Sequence, residues 1–169
     1  MSTKRLFFAL WPDNRQRDRL RDVINSVAKT VEGRPVERRN WHITLPFIGN
    51  IEERHIPDIQ ELVAQVQMEP FRLVFDRLEY SPRRKIACLA AAMAPAELEQ
   101  LVSSLNDVVR LVGVSPPENT YRPHITVSHN ARAFPTERLT QRATTEWSSF
   151  ELMESTSGPG GEAYIPLKQ

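Results

Sequence analysis

The chain has 169 residues, 40% of them hydrophobic and 25% charged, with a formal net charge of +1; this composition excludes disordered, fibrous and disulfide-scaffold classes. Its 22 Lys and Arg are interspersed among 21 Asp and Glu, so no global basic field draws in nucleic acid and an anionic ligand must be met locally. No apolar run approaches bilayer length, and Leu6 to Leu10 is too short for the core of a signal peptide. A cytoplasmic monomer with no membrane contact is expected, folded as a single domain over residues 1–169.

In chain order, Leu6 to Leu10 reads as a first strand. Asp13 and Gln16 stand in a capping-box spacing, and Leu20, Val23, Ile24, Val27 and Val31 recur at helical spacing until Gly33 and Pro35. A strand follows over His42 to Ile48, alternating polar and apolar residues through its first half. Asn50 and Glu53 again have cap-like spacing before an apolar helical face of Ile56, Ile59, Leu62, Val63 and Val66.

Phe71 to Tyr80 and Ile86 to Met93 read as two strands around a turn, Ser81 to Lys85. Within that turn, Arg83-Arg84-Lys85 is the densest basic run in the chain, either a solvated turn or a phosphate-facing loop. Cys88, the single cysteine, reads as a buried strand thiol, since no nearby histidine activates it as a nucleophile. Pro95 opens a helix carried by Leu98, Leu101, Val102, Leu105, Val108, Val109 and Val112 and stopped by Gly113. After the loop Ser115-Pro116-Pro117 come a strand from His124 to Val127 and two more, Phe150 to Ser155 and Ala163 to Leu167, joined by the turn Gly158-Pro159-Gly160-Gly161.

A weak internal repeat runs through this order: strand, helix, loop, then a strand that begins His-Ile-Thr-aliphatic. His42 falls 36 residues after Leu6, and His124 falls 38 after Ile86. Two such units suggest two lobes related by a pseudo-twofold axis, each contributing one copy of the motif. In a strand, residues i and i+2 share a face. His42 and Thr44 therefore point one way and Ile43 and Leu45 the other; His124 and Thr126 are split likewise from Ile125 and Val127. Chance would yield two such matches in roughly one chain in a thousand.

Arg5-Leu6-Phe7-Phe8-Ala9-Leu10, Asn40-Trp41-His42-Ile43-Thr44-Leu45, Ile48-Gly49 and Tyr121-Arg122-Pro123-His124-Ile125-Thr126-Val127 together resemble the two-histidine (2H) phosphoesterase superfamily. The likeness is greatest to its bacterial and archaeal RNA 2′,3′-cyclic phosphodiesterases, once called 2′-5′ RNA ligases. It covers nearly the whole chain and implies an α+β, bilobal fold of two pseudo-symmetric lobes, each an antiparallel sheet flanked by helices, with the sheets facing each other and both His-x-Thr-x motifs in the groove between. It further implies His42 as general acid and His124 as general base, with a 2′-phosphate product and no cofactor or metal. The chain departs from the family pattern at His129, where a basic residue is common, and at Cys88, where a Trp is frequent.

The chemistry itself needs a proton removed from water on one side of a cyclic phosphodiester and donated to the leaving alkoxide on the other, which two imidazoles can do near neutral pH. Thr44 and Thr126 would bind the non-bridging phosphate oxygens, and Arg122 is a candidate cationic donor. Phe7, Trp41 and Tyr80 are candidates to stack on a terminal base. The expected partners are RNA ends bearing a 2′,3′-cyclic phosphate, with tRNA fragments or nucleotides as possible forms. Two other readings stand beside this one: a zinc hydrolase, for which each motif offers only one imidazole where three protein ligands are usual, and a non-catalytic RNA-end binding module. Reversible 2′-5′ RNA ligation and other cyclic phosphodiesters remain open within the enzyme reading.

Overall fold

The computed structural model describes residues 2–158 and 161–167. Its strands are β1 (Thr3–Leu10), β2 (Arg34–Pro35), β3 (Ile43–Glu52), β4 (Phe71–Ser81), β5 (Ile86–Ala90), β6 (His124–His129), β7 (Glu137–Trp147), β8 (Glu151–Gly158) and β9 (Gly161–Pro166). Its helices are α1 (Asn14–Lys29), α2 (Ile56–Ala64) and α3 (Ala96–Leu111). Among the described residues, no helix is long and apolar enough to cross a membrane.

The strands form one antiparallel sheet in the order β7-β4-β5-β6-β3-β1-β8-β9, with the short β2 added against β6. This ladder divides into two four-strand halves, β3-β1-β8-β9 and β6-β5-β4-β7. The repeat seen in the sequence maps onto them, because β1 and β5 hold equivalent places, as do β3 and β6. One feature differs from the expectation of two separate sheets: the halves are continuous, joined through a single residue pair, Ile43 opposite Ile125. Both side chains are fully buried, so the motif strands meet at their apolar faces.

The helices lock the halves together crosswise. The α1 helix follows β1 but packs on β7 and β6 of the other half, while α3 follows β5 and packs on β3. At the start of α1, Asp13 and Gln16 form the anticipated capping box, each side chain accepting the other's backbone N–H at 2.7 and 2.8 Å. The Gln16 amide also donates to the Glu146 carbonyl on β7 at 2.7 Å, fixing where the helix lands. Leu20, Val23, Ile24 and Val27 of α1 and Leu98, Leu101, Leu105 and Val109 of α3 are buried in the core, as their helical spacing requires.

Besides the two-residue β2, which is absent from the sequence reading, three elements differ from it. First, β3 extends through Glu52 and so takes in the cap-like Asn50; Glu53 then opens a single 3-10 turn that leads into α2, which has proline in its first turn and no side-chain cap. Second, β5 ends at Ala90, short of Met93. Third, β7 is an eleven-residue strand absent from the sequence reading. It lies at the edge of the sheet and buries only Ala143, Thr145 and Trp147, so most of it carries no apolar alternation to detect. Of the turn between β8 and β9, Pro159 and Gly160 lie outside the described residues; Gly158 pairs with Gly161.

Register slips also shape β3. Leu6 pairs with Gly49 but Phe7 with Phe47, and the register shifts again before Ala9 pairs with Thr44. Each slip moves subsequent side chains to the other face. Gly49, at φ +103°, supplies the left-handed backbone that such a bulge needs. As a result Phe47 is 43% exposed while Ile48 is buried, which is why the clean alternation of the motif stops after Leu45.

The Ile43–Ile125 contact is fully buried, so a charge placed there would be cut off from solvent. Ile43→Asp and Ile125→Asp should each destabilise the fold by on the order of 4 kcal/mol, measured by urea unfolding. An Asp variant as stable as the parent would contradict the burial of this seam.

Candidate active site

On either side of the Ile43–Ile125 pair, the polar members of the two motifs stay half-buried: His42 and Thr44 from one strand, His124 and Thr126 from the other. Two adjoining cavities open there. One, of about 440 Å³, is lined by His42; the other, of about 810 Å³, is lined by His124; Thr44 and Thr126 line both. The four motif side chains thus share one groove, with a histidine in each half and both hydroxyls at the seam.

The two imidazoles are anchored in the same way. Nδ1 of His42 lies 2.7 Å from the Asn40 carbonyl, and Nδ1 of His124 lies 3.0 Å from the Arg122 carbonyl. A carbonyl only accepts, so Nδ1 carries a hydrogen in each ring and Nε2 is left as the nitrogen that gains or loses a proton. In both cases the anchor is the carbonyl two residues upstream, a local device that each motif carries with it. A further bond ties the motifs to each other: the Tyr121 hydroxyl donates to the Thr44 carbonyl at 2.9 Å, and burial pushes the phenol's pKa well up, so it remains a donor.

The surroundings of the two rings differ. His42 stacks on Trp11 at 5.1 Å between centroids and 21° between planes, with Tyr164 at 5.0 Å and Phe7 at 5.6 Å. Burial among these rings holds its pKa below the ordinary imidazole value; proximity to His124 lowers it further, against opposing contributions from the Asn40 carbonyl and Glu162. Glu162 accepts a hydrogen bond from the Tyr164 hydroxyl at 2.5 Å. No aromatic ring contact surrounds His124 among the described residues.

The remaining candidates divide. Arg122 lines the His124-side cavity, yet its guanidinium is exposed and bonded to Glu79 at 2.7 Å, so its charge is already answered. Arg84, from the basic turn, lines both cavities, and Arg5 lines the His42 side with its guanidinium carbon 5.0 Å above the Phe47 ring. His129 lines the His42 side as well; Gly33 packs against it so closely that a Cβ there would meet the His129 carbonyl at 2.8 Å. Arg5 and Trp11 were not singled out as site residues in the sequence, because their place depends on long-range pairing; the basic run did mark Arg84.

Of the aromatic candidates, Phe7 lines the His42 cavity and Tyr80 the other, while Trp41 is buried with its indole N–H on the Val36 carbonyl at 3.2 Å. Cys88 is buried beside the Thr126 side chain, and desolvation pushes its thiol up to about 11. At neutral pH it is therefore a thiol, not a nucleophile. Among the described residues, no three His, Cys, Asp or Glu side chains converge as metal ligands would.

Paired imidazoles and paired hydroxyls line one groove between the two halves of an antiparallel α+β fold, the arrangement that the resemblance to two-histidine phosphoesterases implies. The comparisons agree: residues 12–155 match the model of the 2′-5′ RNA ligase superfamily, and the chain belongs to that family. The chain is 32% identical over 114 residues to the RNA 2′,3′-cyclic phosphodiesterase of Aeropyrum pernix, covering 65% of this chain and 63% of that protein. It is 24% identical to the protein of the same name from Archaeoglobus fulgidus, covering 97% and 98% of the two chains. The crystal structure of Escherichia coli LigT complexed with 3′-AMP superposes with a TM-score of 0.86 at 25% identity, covering 99% of this chain and 97% of that one.

The depressed pKa of His42 has a consequence for stability. The unfolded chain binds a proton near pH 6.5, whereas the folded chain resists it until a lower pH. The stability that neutral His42 contributes is therefore complete above about pH 6.5 and is lost as pH falls through the folded value. His42→Asn should flatten the dependence of Tm on pH below 6.5, and identical slopes for variant and parent would refute this environment for the ring.

Proposed function

We propose that this chain hydrolyses the 2′,3′-cyclic phosphate ends of RNA to 2′-phosphates, with His42 as general acid, His124 as general base and no metal. The observation that carries the reading is the pair of imidazoles with identical Nδ1 anchors, each leaving Nε2 available in a groove whose seam holds Thr44 and Thr126. The names of the Aeropyrum and Archaeoglobus relatives support the same substrate.

In this mechanism neutral His124 takes a proton from water as the water oxygen bonds to phosphorus. The P–O3′ bond breaks, and protonated His42 delivers its Nε2 proton to O3′, leaving a 2′-phosphate. Thr44 and Thr126 donate to the non-bridging oxygens as charge builds on them. At the end the two proton states are exchanged, and solvent restores them. Each imidazole contributes on the order of 10² to 10⁴ in rate.

His42→Ala and His124→Ala should each lower kcat by at least about 10²-fold on a cyclic-phosphate oligonucleotide, with an unchanged circular-dichroism spectrum. Near-parental turnover in either variant would reject the two-histidine mechanism, and tight end-binding without turnover in the parent would favour a binding module. Activity should survive excess EDTA, whereas loss with recovery on zinc would favour a metal hydrolase.

The environment of His42 also sets the form of the pH profile. An acid catalyst must be protonated, so activity falls as pH rises through its pKa. In the free protein that pKa is held down, while a bound phosphate anion raises it. The alkaline limb of kcat/KM should therefore lie at lower pH than that of kcat. Coincident alkaline limbs, with the displacement found on the acid side, would assign His42 as the base.

A further inference from the structure

The two halves of the groove differ in how their charged side chains are paired. On the His42 side stand Arg5 and Arg84, neither of them ion-paired among the described residues, together with His129; the carboxylate there, Glu162, already accepts the Tyr164 hydroxyl. The His124 side shares Arg84 but otherwise offers the closed Glu79–Arg122 pair, the neutral Asn106, Asn119 and Thr120, and the ring of Tyr80. The half that holds both unpaired guanidiniums is also the smaller, about 440 against 810 Å³.

A ribose with a 2′,3′-cyclic phosphate has the same asymmetry. The base is borne by C1′, next to C2′, and the 5′-oxygen by the arm on C4′, next to C3′. With the cyclic phosphate at the seam between Thr44 and Thr126, base and 5′-substituent diverge from opposite ends of the ring, which suits one to each cavity. We propose that the His42-side cavity is a subsite for a phosphate on the 5′-oxygen of the terminal nucleoside, held by Arg5, Arg84 and His129, and that the base occupies the His124 side. Paired guanidiniums suit a phosphate's oxygens, and an amide-lined, aromatic-walled cavity suits a base edge and face.

This inference rests on the cyclic-phosphate reading and extends it. It makes the enzyme a reader of 5′-phosphorylated ends, in monoester or diester form, in preference to the bare cyclic nucleoside. It also ties orientation to product: O3′ lies on the side of C4′, so this pose turns O3′ toward His42 and leaves phosphate on O2′. Phe47, at the seam of both cavities and beneath the Arg5 guanidinium, would hold that cation over the groove.

The test compares kcat/KM for adenosine 2′,3′-cyclic phosphate, its 5′-phosphorylated form and the dinucleotide ApA ending in a 2′,3′-cyclic phosphate. Both substrates with a 5′-phosphate should exceed the bare nucleoside by about tenfold or more at low salt, and the advantage should shrink as salt rises. Arg5→Gln and Arg84→Gln should each reduce the ratio of phosphorylated to bare substrate, whereas Arg83→Gln, in the same turn but outside both cavities, should not. Equal rates for all three substrates would overturn the subsite. So would an advantage confined to the dinucleotide, which would point to the second nucleoside, or a ratio insensitive to both variants. Should one variant fail to fold, the other variant and the salt series still decide. Failure to hydrolyse any of the three, in the parent protein, would instead reject the cyclic-phosphate reading itself.

Discussion

Everything at the site depends on one apolar contact, Ile43 against Ile125. Antiparallel pairing at that point sets the flanking polar residues of the two strands symmetrically about it, and complete burial of both side chains holds the register. A one-residue slip would turn the histidines into the core and the isoleucines into the groove. The seam is narrow, a single pair, so it could not hold the halves alone. The crosswise helices, each packed on the half it does not follow, and the bond from Tyr121 to Thr44 supply the rest.

Given that seam, each motif needs little else to prepare its imidazole. A carbonyl two residues upstream directs the Nδ1 hydrogen inward, and Nε2 is left for chemistry. Because the device is local, it is repeated with nearly the same geometry, 2.7 and 3.0 Å, in two stretches with different neighbours. Symmetry ends there. Trp11, Phe7 and Tyr164 enclose His42, and desolvation by that enclosure holds its pKa below the ordinary imidazole value.

The same asymmetry extends to the walls of the groove. Arg122, nearest in sequence to a motif histidine, is paired with Glu79, while Arg84 and Arg5, remote from both motifs in sequence, line the groove without an ion pair among the described residues. A chain of net charge +1 thus still places unpaired guanidiniums where an anion would sit. Cys88 illustrates the converse: a reactive residue type made inert by burial, its thiol held at about 11.

How much of this was legible in the sequence follows from the range of the forces involved. Local patterns determined the helices α1 and α3, the capping box at Asp13, the faces of the two His-x-Thr-x strands and the repeat, because each depends on residues within a few positions of one another. The motif pair itself, the resemblance it carries and the four polar side chains of the seam were readable for the same reason. Strand β7 was not, since an edge strand with one sparsely buried face has no strong period. Nor was the union of the halves into one sheet, the neutralisation of Arg122, or the gathering of Arg5, Arg84 and His129 on the His42 side. Those were decided by tertiary structure alone, because charge compensation and burial depend on which residues distant in sequence come within a few ångströms, and only the folded chain determines that.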